Sequence, residues 1–447
     1  MYLTETELDI PAPPAGAGLL EWLTRQTDER LPVGHSPLRL VVTETHGRGY
    51  RCEVTVLADG HPHPDPLPER EGTFLFRPRL SENTAQFNAA LLVPTGIGAA
   101  IGGHAGDATP VARLLASVCD TLITHPNVVN ASDINEMPAN ALYVEGSVVC
   151  RLLMGTAGLQ PVRANRVLAV VDSHPDPFFI KLAVNAVNAA HASYGLLCPG
   201  IVALEPPLVM RATYTGSTRA AGSVEDIDRL FDLLDSRRHE YDAVALSSVI
   251  SVPFRYYADY YSSHGDMVNP WGGVEAMLTH AISSRYDVPS AHSPMLESQE
   301  VLDVELGIVD PRMAAESIST TFLQSVLKGL QRSPRIVAGP DAMREPSVLT
   351  ARDVSCLVLP QGCLGLPTLA ALEQGIPVIE VEENANLMRN DLSALPWRQG
   401  QFHQVANYWE AAGVMAALKA GINPASVRRP LAPVPVIFDA KAQRRKE

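Results

Sequence analysis

The chain lacks the marks of several large protein classes, and each absence narrows what it can be. Its six cysteines in 447 residues form no Cys-x-x-Cys pair and no regular framework, which argues against a disulfide scaffold or a thiolate zinc site. No basic block is long enough to follow a phosphate backbone. Acidic residues outnumber basic ones 49 to 35, for a net charge of −14, so nucleic acid is not an expected partner. The short basic cluster Lys441-Ala-Gln-Arg-Arg-Lys-Glu447 reads as a solvated tail. No uncharged apolar run reaches the roughly 20 residues of a membrane span. The acidic start, Met1-Tyr-Leu-Thr-Glu-Thr-Glu-Leu8, is not laid out like a signal peptide. A reducing cytoplasm and no membrane partner are the expectation. Also missing are the Gly-Lys-Ser/Thr of a P-loop, the Gly-x-Ser-x-Gly of a serine hydrolase and the His-Glu-x-x-His of a zinc protease.

What is present is an ordinary globular composition, 46% hydrophobic and 19% charged, long enough for two or three domains. Residues 1–85 read as a small α+β appendage. It has a helix over Gly16–Leu31 and a hairpin of Leu38–Glu44 and Tyr50–Leu57, followed by the Pro-rich loop His61–Pro68, which reads as an extended surface loop whose two histidines could touch a metal. Residues 86–165 form a Gly-rich α/β segment, and 166–447 a Rossmann-like α/β region. Short apolar strands alternate there with helices, as in parallel sheets covered on both faces. Expected strands include Leu91–Pro94, Thr121–Thr124, Val167–Asp172, Ala243–Ser248 and Cys356–Leu359. Expected helices include Val224–Leu234 with Ser223 as N-cap, Val274–Ser284 and Ala314–Leu330. Pro94-Thr-Gly96, Pro270-Trp-Gly272 and Pro360-Gln-Gly362 suggest a repeated Gly-rich turn.

The richest motif is the run Leu91–Pro110. Gly96, Gly98, Gly102, Gly103 and Gly106 let the backbone turn tightly, and a strand end opening onto a helix is a natural anion cradle. The spacing departs from the dinucleotide fingerprint, and His125 stands where a ribose-binding acid is expected, which argues against NAD. His104 and Asp107 in this run, with Asn127 and Asn130 in His125-Pro-Asn-Val-Val-Asn-Ala-Ser-Asp133, are candidate ligand contacts. Asp133 reads equally as a helix cap. Asp172, Ser173 and His174 end another strand, and Glu145 is a further acid–base candidate. Gly272, Gly273, Glu275 and His292 sit at the ends of one helix–strand unit. Cys363, at a strand-to-helix turn, would feel the positive end of the helix and be activated as a thiolate. Glu380, Glu382 and Glu383 end the next strand and could meet a cation or an amine. No cofactor is expected. The alternative is a divalent metal among His104, Asp107, His125 and His174.

The stretch from Pro94-Thr-Gly-Ile-Gly98 to His125-Pro-Asn-Val-Val-Asn-Ala131 resembles a bacterial family known only as a domain of unknown function. Over about residues 165–385 there is a second, distant resemblance, carried by Val171-Asp-Ser173, Asp242-Ala-Val-Ala-Leu-Ser247 and Leu359-Pro-Gln-Gly-Cys363, to aspartate/glutamate racemase-like enzymes. It implies two pseudo-symmetric α/β halves and proton abstraction beside a carboxylate. Ser247-Ser248 replaces the first catalytic Cys, so the resemblance implies one-thiol chemistry, as in isomerases or decarboxylases. Gly365–Glu380 loosely resembles the donor half of two-domain glycosyltransferases.

These readings converge on a small-molecule enzyme, lyase or isomerase in type, acting on a small polar substrate with a carboxylate or amide. Cys363 would be nucleophile or proton carrier, Asp172, His125 or His292 its acid–base partner, and the Gly96–Gly106 turn the anion holder. The alternatives are a transferase binding phosphate or nucleotide at that turn, or a non-enzymatic ligand-binding protein. Self-association is left open.

Overall fold

The computed structural model describes residues 1–59, 74–129, 132–134, 136–253, 255–431, 433, 434 and 436. The Pro-rich loop His61–Pro68, Asn130 and the basic tail lie outside the described residues. Among those described, two large sheets share the core and the fold is α/β, as expected.

The first sheet is six-stranded and wholly parallel. Its order is Phe402–Val405, Val378–Val381, Val354–Pro360, Asn88–Leu91, Thr121–Thr124, Ala141–Tyr143. This is the doubly wound order, built from two stretches of chain with everything between Tyr143 and Val354 inserted. The strands are near-continuous apolar runs because both faces are covered. Helices Thr109–Ala116 and Tyr408–Lys419 pack together on one side, Gly146–Leu153 and Leu366–Gln374 on the other. The strand order reverses between Val354–Pro360 and Asn88–Leu91, and ligands of open α/β sheets gather outside that edge.

The second sheet is mixed. Ser290–Met295, Ala243–Ser251, Val167–Asp172 and Ile201–Leu204 run parallel. The far end of Ala243–Ser251 then meets Val209–Tyr214, and the sheet continues through Ala220–Glu225, Tyr2–Pro11, Gly49–Ala58 and His35–His46. Residues 1–85 are therefore no appendage. Tyr2–Pro11 pairs along its whole length with Gly49–Ala58 and touches Ala220–Glu225 at Leu3↔Val224. The junction is fixed by Arg219, 1% exposed, between Glu5 and Glu53. Nor do 86–165 and 166–447 separate, because the parallel sheet takes three strands from each.

Three local expectations shift. The segment from Val224 holds the end of strand Ala220–Glu225 and then helix Ile227–Ser236, so Ser223 is a strand residue and not a cap. The helix expected over 314–330 is broken into Ala314–Ser317 and Leu323–Arg332. The β-branched, hydroxyl-rich Ile318-Ser-Thr-Thr321 disfavours helix. Asp133 holds the break by accepting from Ser319 Oγ, Thr321 Oγ1 and the amides of Phe322 and Ser325. Leu91–Pro94 is displaced to Asn88–Leu91.

Candidate functional site

The two sheets meet where helix Gly146–Leu153 packs on helix Gly272–Tyr286. A cavity of about 450 Å³ opens beside this contact, within the range of small-molecule sites. It is lined by Gly96, Gly103, His125, Asn127, Tyr143, Glu145, Asn269, Trp271, Gly272, Glu275, His280, His292 and Glu316, together with Tyr257 and Tyr261.

His125 follows strand Thr121–Thr124 directly. Its Nε2 accepts the Val93 amide at 3.1 Å, which leaves Nδ1 as the protonated nitrogen of the neutral ring. Burial pushes this histidine down to about 4, so it is a neutral donor at physiological pH. Glu145 follows strand Ala141–Tyr143 and caps helix Gly146–Leu153, accepting from the amide and hydroxyl of Ser147. Its Oε1 lies 2.6 Å from Nδ1 of His280. Burial opposes ionisation of Glu145, but the imidazole and these hydrogen bonds outweigh it and hold the carboxyl below its ordinary range.

Glu275 occupies the first turn of Gly272–Tyr286, where the helix dipole favours its charge. Its Oε1 is 3.1 Å from Nδ1 of His292, and Nε2 of the same ring is 2.7 Å from Ser248 Oγ on the neighbouring parallel strand. Ser248 is buried, does not line the cavity and also contacts the Met210 sulfur. Both ring nitrogens of His292 are thus committed, and Glu275 is the partly exposed member facing the cavity. Glu316 accepts from the Ala105 amide at 2.5 Å, Asn269 Nδ2 at 3.2 Å and the Tyr260 hydroxyl at 2.7 Å, and that hydroxyl also meets Nδ1 of His104. Burial raises Glu316 to about 7 and lowers His104 to about 4.

As an anion cradle, much of the glycine-rich run is already occupied. The Ala100, Ile101, Gly102 and Ala105 amides already donate to Ala385 O, Asn384 Oδ1, Asp107 Oδ1 and Glu316 Oε1. The glycines serve packing instead. A Cβ on Gly96 would stand 2.7 Å from Ala220 O, one on Gly98 3.0 Å from Val268, one on Gly102 2.8 Å from Val93 and one on Gly103 2.2 Å from Ala99 O. Asn127 ties the loop down through Val93 O and Gly102 O. Asp107, raised to about 7 by burial, does so through the Gly102 amide. Gly272 fits against Thr95, and Gly273 against the Ala220 backbone.

Other expected partners are apart from this cavity. Buried Asp172 accepts the Leu208 amide and is raised to about 7 by that burial. The Ser173 amide donates to Leu204 O, and the His174 ring lies between the Asp176 backbone and Leu296 O. None of the three lines the cavity. Cys363 follows a strand of the other sheet and lines a neighbouring cavity of about 1670 Å³, which shares His125, Gly146 and His280 with the first but does not bring Cys363 into it. It is 6% exposed, and burial, reinforced by Glu380, pushes its thiol well up, the reverse of an activated thiolate. Glu380 accepts from Gly362 N and Gln404 Nε2, and Glu383 from Tyr408 N, so these acids serve the fold. Nor do His104, Asp107, His125 and His174 converge. Among the described residues no three His, Cys, Asp or Glu side chains are grouped to hold a metal.

Tyr143, His280, Glu316 and Ser248 are the site residues that sequence reasoning missed. His280 is five positions from Glu275, off the usual helical spacing, and Glu316 sat inside the helix expected over Ala314–Leu330. Tyr143 and Ser248 occupy ordinary strand positions.

Residues 88–428 match the profile of the family described as "Protein of unknown function (DUF3326)". The chain belongs to that family. It is also 34% identical over 345 residues, 76% of this chain and 92% of the relative, to an uncharacterized lipoprotein of Synechococcus sp.. That name overturns the cytoplasmic location expected from composition. Among the described residues, no helix is long and apolar enough to cross a membrane. No solved structure matches the chain. The racemase-like resemblance is not carried by these comparisons, and Asp172 and Ser247 lie on a different sheet from the strand preceding Cys363.

Proposed function

We propose that this protein is an enzyme that moves protons on a small polar molecule held in the 450 Å³ cavity, in the manner of an isomerase or lyase. One observation carries the reading: two Glu–His pairs, Glu275–His292 and Glu145–His280, line one cavity together with a histidine kept neutral. Glu275 takes the substrate proton, and His292, oriented by Ser248, supports it from behind. His125 donates its Nδ1 hydrogen to the substrate oxygen on which negative charge develops. The Glu145–His280 pair is the second acid–base group, which returns the proton for isomerisation or delivers it to a leaving group for elimination. The chain's own side chains suffice for these steps without a resident cofactor.

Incubation with a panel of small amines, hydroxy acids and amides in D2O, followed by NMR, tests this. Deuterium uptake at a substrate carbon that Glu275→Gln abolishes is the expected result. Ligands that bind without exchange or turnover would sink it. That outcome would favour a ligand-binding protein, a reading that also suits the relative's name as a lipoprotein.

A further inference from the structure

The described residues lining the cavity include no Arg and no Lys. Groups able to carry positive charge there are limited to three imidazoles. His125 is neutral above about pH 4, and His280 and His292 each face their own glutamate. Against these stand Glu145, Glu275 and Glu297, with Glu316 raised to about 7 beside them. A carboxylate or phosphate entering this space would meet acids and no free cation.

A second observation is independent of charge. Tyr143 is 1% exposed, lines the cavity, and its hydroxyl has no hydrogen-bond partner among the described residues. The ring is held flat against Gly329, where a Cβ would come within 2.5 Å of it, so the hydroxyl cannot swing away to find a partner. A buried hydroxyl left unpaired costs free energy that a bound ligand recovers. Its oxygen lies close enough to Glu275 to feel that carboxylate's charge. Tyr257, Tyr261 and Trp271 supply aromatic surface on the same cavity, which suits a cation.

We infer that the cavity takes a protonated amine, its ammonium held by the Glu275 carboxylate and the Tyr143 hydroxyl oxygen and its apolar part against the Trp271 and Tyr257 rings. This deepens the proton-transfer reading and rests on the same cavity, one Glu275 oxygen holding the ammonium while the other takes the proton, but it reverses the substrate charge expected from sequence.

Calorimetric titration of the full chain at neutral pH with butylamine, 1,4-diaminobutane, butanol and butyrate tests it. The amines are expected to bind about ten-fold or more tighter than butanol, with no binding of butyrate. Glu275→Gln and Tyr143→Phe should each weaken amine binding. Tyr143→Phe should at the same time leave the free protein as stable as before or more so, which separates ligand loss from misfolding. Butyrate binding as well as butylamine, no preference for amine over alcohol, no amine binding at millimolar concentration, or amine binding untouched by both variants would each overturn the inference. Amines that bind without isotope exchange would leave it standing and remove the enzymatic reading. Exchange confined to carboxylate substrates would do the converse.

Discussion

The amide of Val93 donates to Nε2 of His125 across 3.1 Å, tying the end of one parallel strand to the end of its neighbour. The bond requires a neutral ring, and burial lowers this histidine from 6.5 to about 4. The unfolded chain therefore takes up a proton near pH 6.5 that the folded chain refuses until about pH 4. The contribution to stability is whole above the unfolded value and is lost as pH falls towards the folded one. Raised acids such as Glu316 and Asp107 run the other way, gaining relative stability as pH falls from 7, so a difference measurement is needed. His125→Gln keeps an acceptor without the titration. Its stability gap from wild type should shrink by about 2 kcal/mol between about pH 7 and pH 5 in urea unfolding. A constant gap would contradict a neutral His125.

Gly96 and Gly273 both abut Ala220. A Cβ would come within 2.7 Å and 2.3 Å of its carbonyl oxygen, and Gly96 also has φ +81°. Gly34 has a similar φ of +83° with nothing within 4 Å. Gly34→Ala should therefore cost about 1–2 kcal/mol, for backbone conformation alone. Gly96→Ala and Gly273→Ala should each cost about 3 kcal/mol or more, since backbone must move. Thermal unfolding of the three variants checks the order.

Arg219 is fully enclosed between Glu5 and Glu53, its Nε 2.6 Å from Glu53. Arg219→Met leaves buried Glu53 without its arginine and buried Glu5 with Arg39 alone, and should cost about 3–5 kcal/mol. Glu5 is held below its ordinary range because Arg219 and Arg39 outweigh the burial that would raise it. Its share of the stability is present above its unfolded value and lost as pH falls through the folded one. Unfolding of wild type and variant at neutral and acid pH should show the gap narrowing in acid.

This cluster also explains what the sequence concealed. Parallel strands such as Thr121–Thr124 and Val167–Asp172 were legible because burial on both faces makes them continuous apolar runs. Tyr2–Pro11 was not, because Glu5 belongs to a core ion network and hides the alternation that marks a half-buried strand. In the site, His125 after a strand, Glu275 in a helix first turn and His292 in the strand that follows that helix could be read, since these are local features. Tyr143, Ser248, His280 and Glu316 could not, since only the insertion of residues 144–353 between two halves of one sheet brings them together. Cys363 misled for the same reason. Its turn has the local form of an activated thiol, and the burial that cancels it is tertiary.

Burial of Cys363 sets a clear expectation for thiol chemistry. Burial pushes both the Cys198 and Cys363 thiols up, but Cys198 is partly exposed, whereas Cys363 is enclosed and beside Glu380. Native protein treated with iodoacetamide should label at Cys198 and, by peptide mass spectrometry, at least about ten-fold more slowly at Cys363. Denatured protein should label both. Cys363→Ala should leave any isotope exchange in the Glu275 cavity intact, and rapid native labelling of Cys363 would restore the thiol to consideration.

The Ser248 hydroxyl reaches His292 from the side away from the cavity, 2.7 Å from Nε2. It touches no part of the space a substrate would fill, so its effect can only pass through the imidazole, as a positioning residue. Ser248→Ala frees the ring to rotate away from Glu275, and outer-shell partners of this kind are worth about 10–100-fold in activity. The exchange rate at saturating substrate should fall by that order while substrate affinity stays near wild type. Ser248→Thr keeps the hydroxyl and should recover most of the rate. A loss of binding parallel to the loss of rate would mean that Ser248 supports the cavity's shape instead. An unchanged rate in Ser248→Ala would mean that Glu275 works without an oriented histidine behind it.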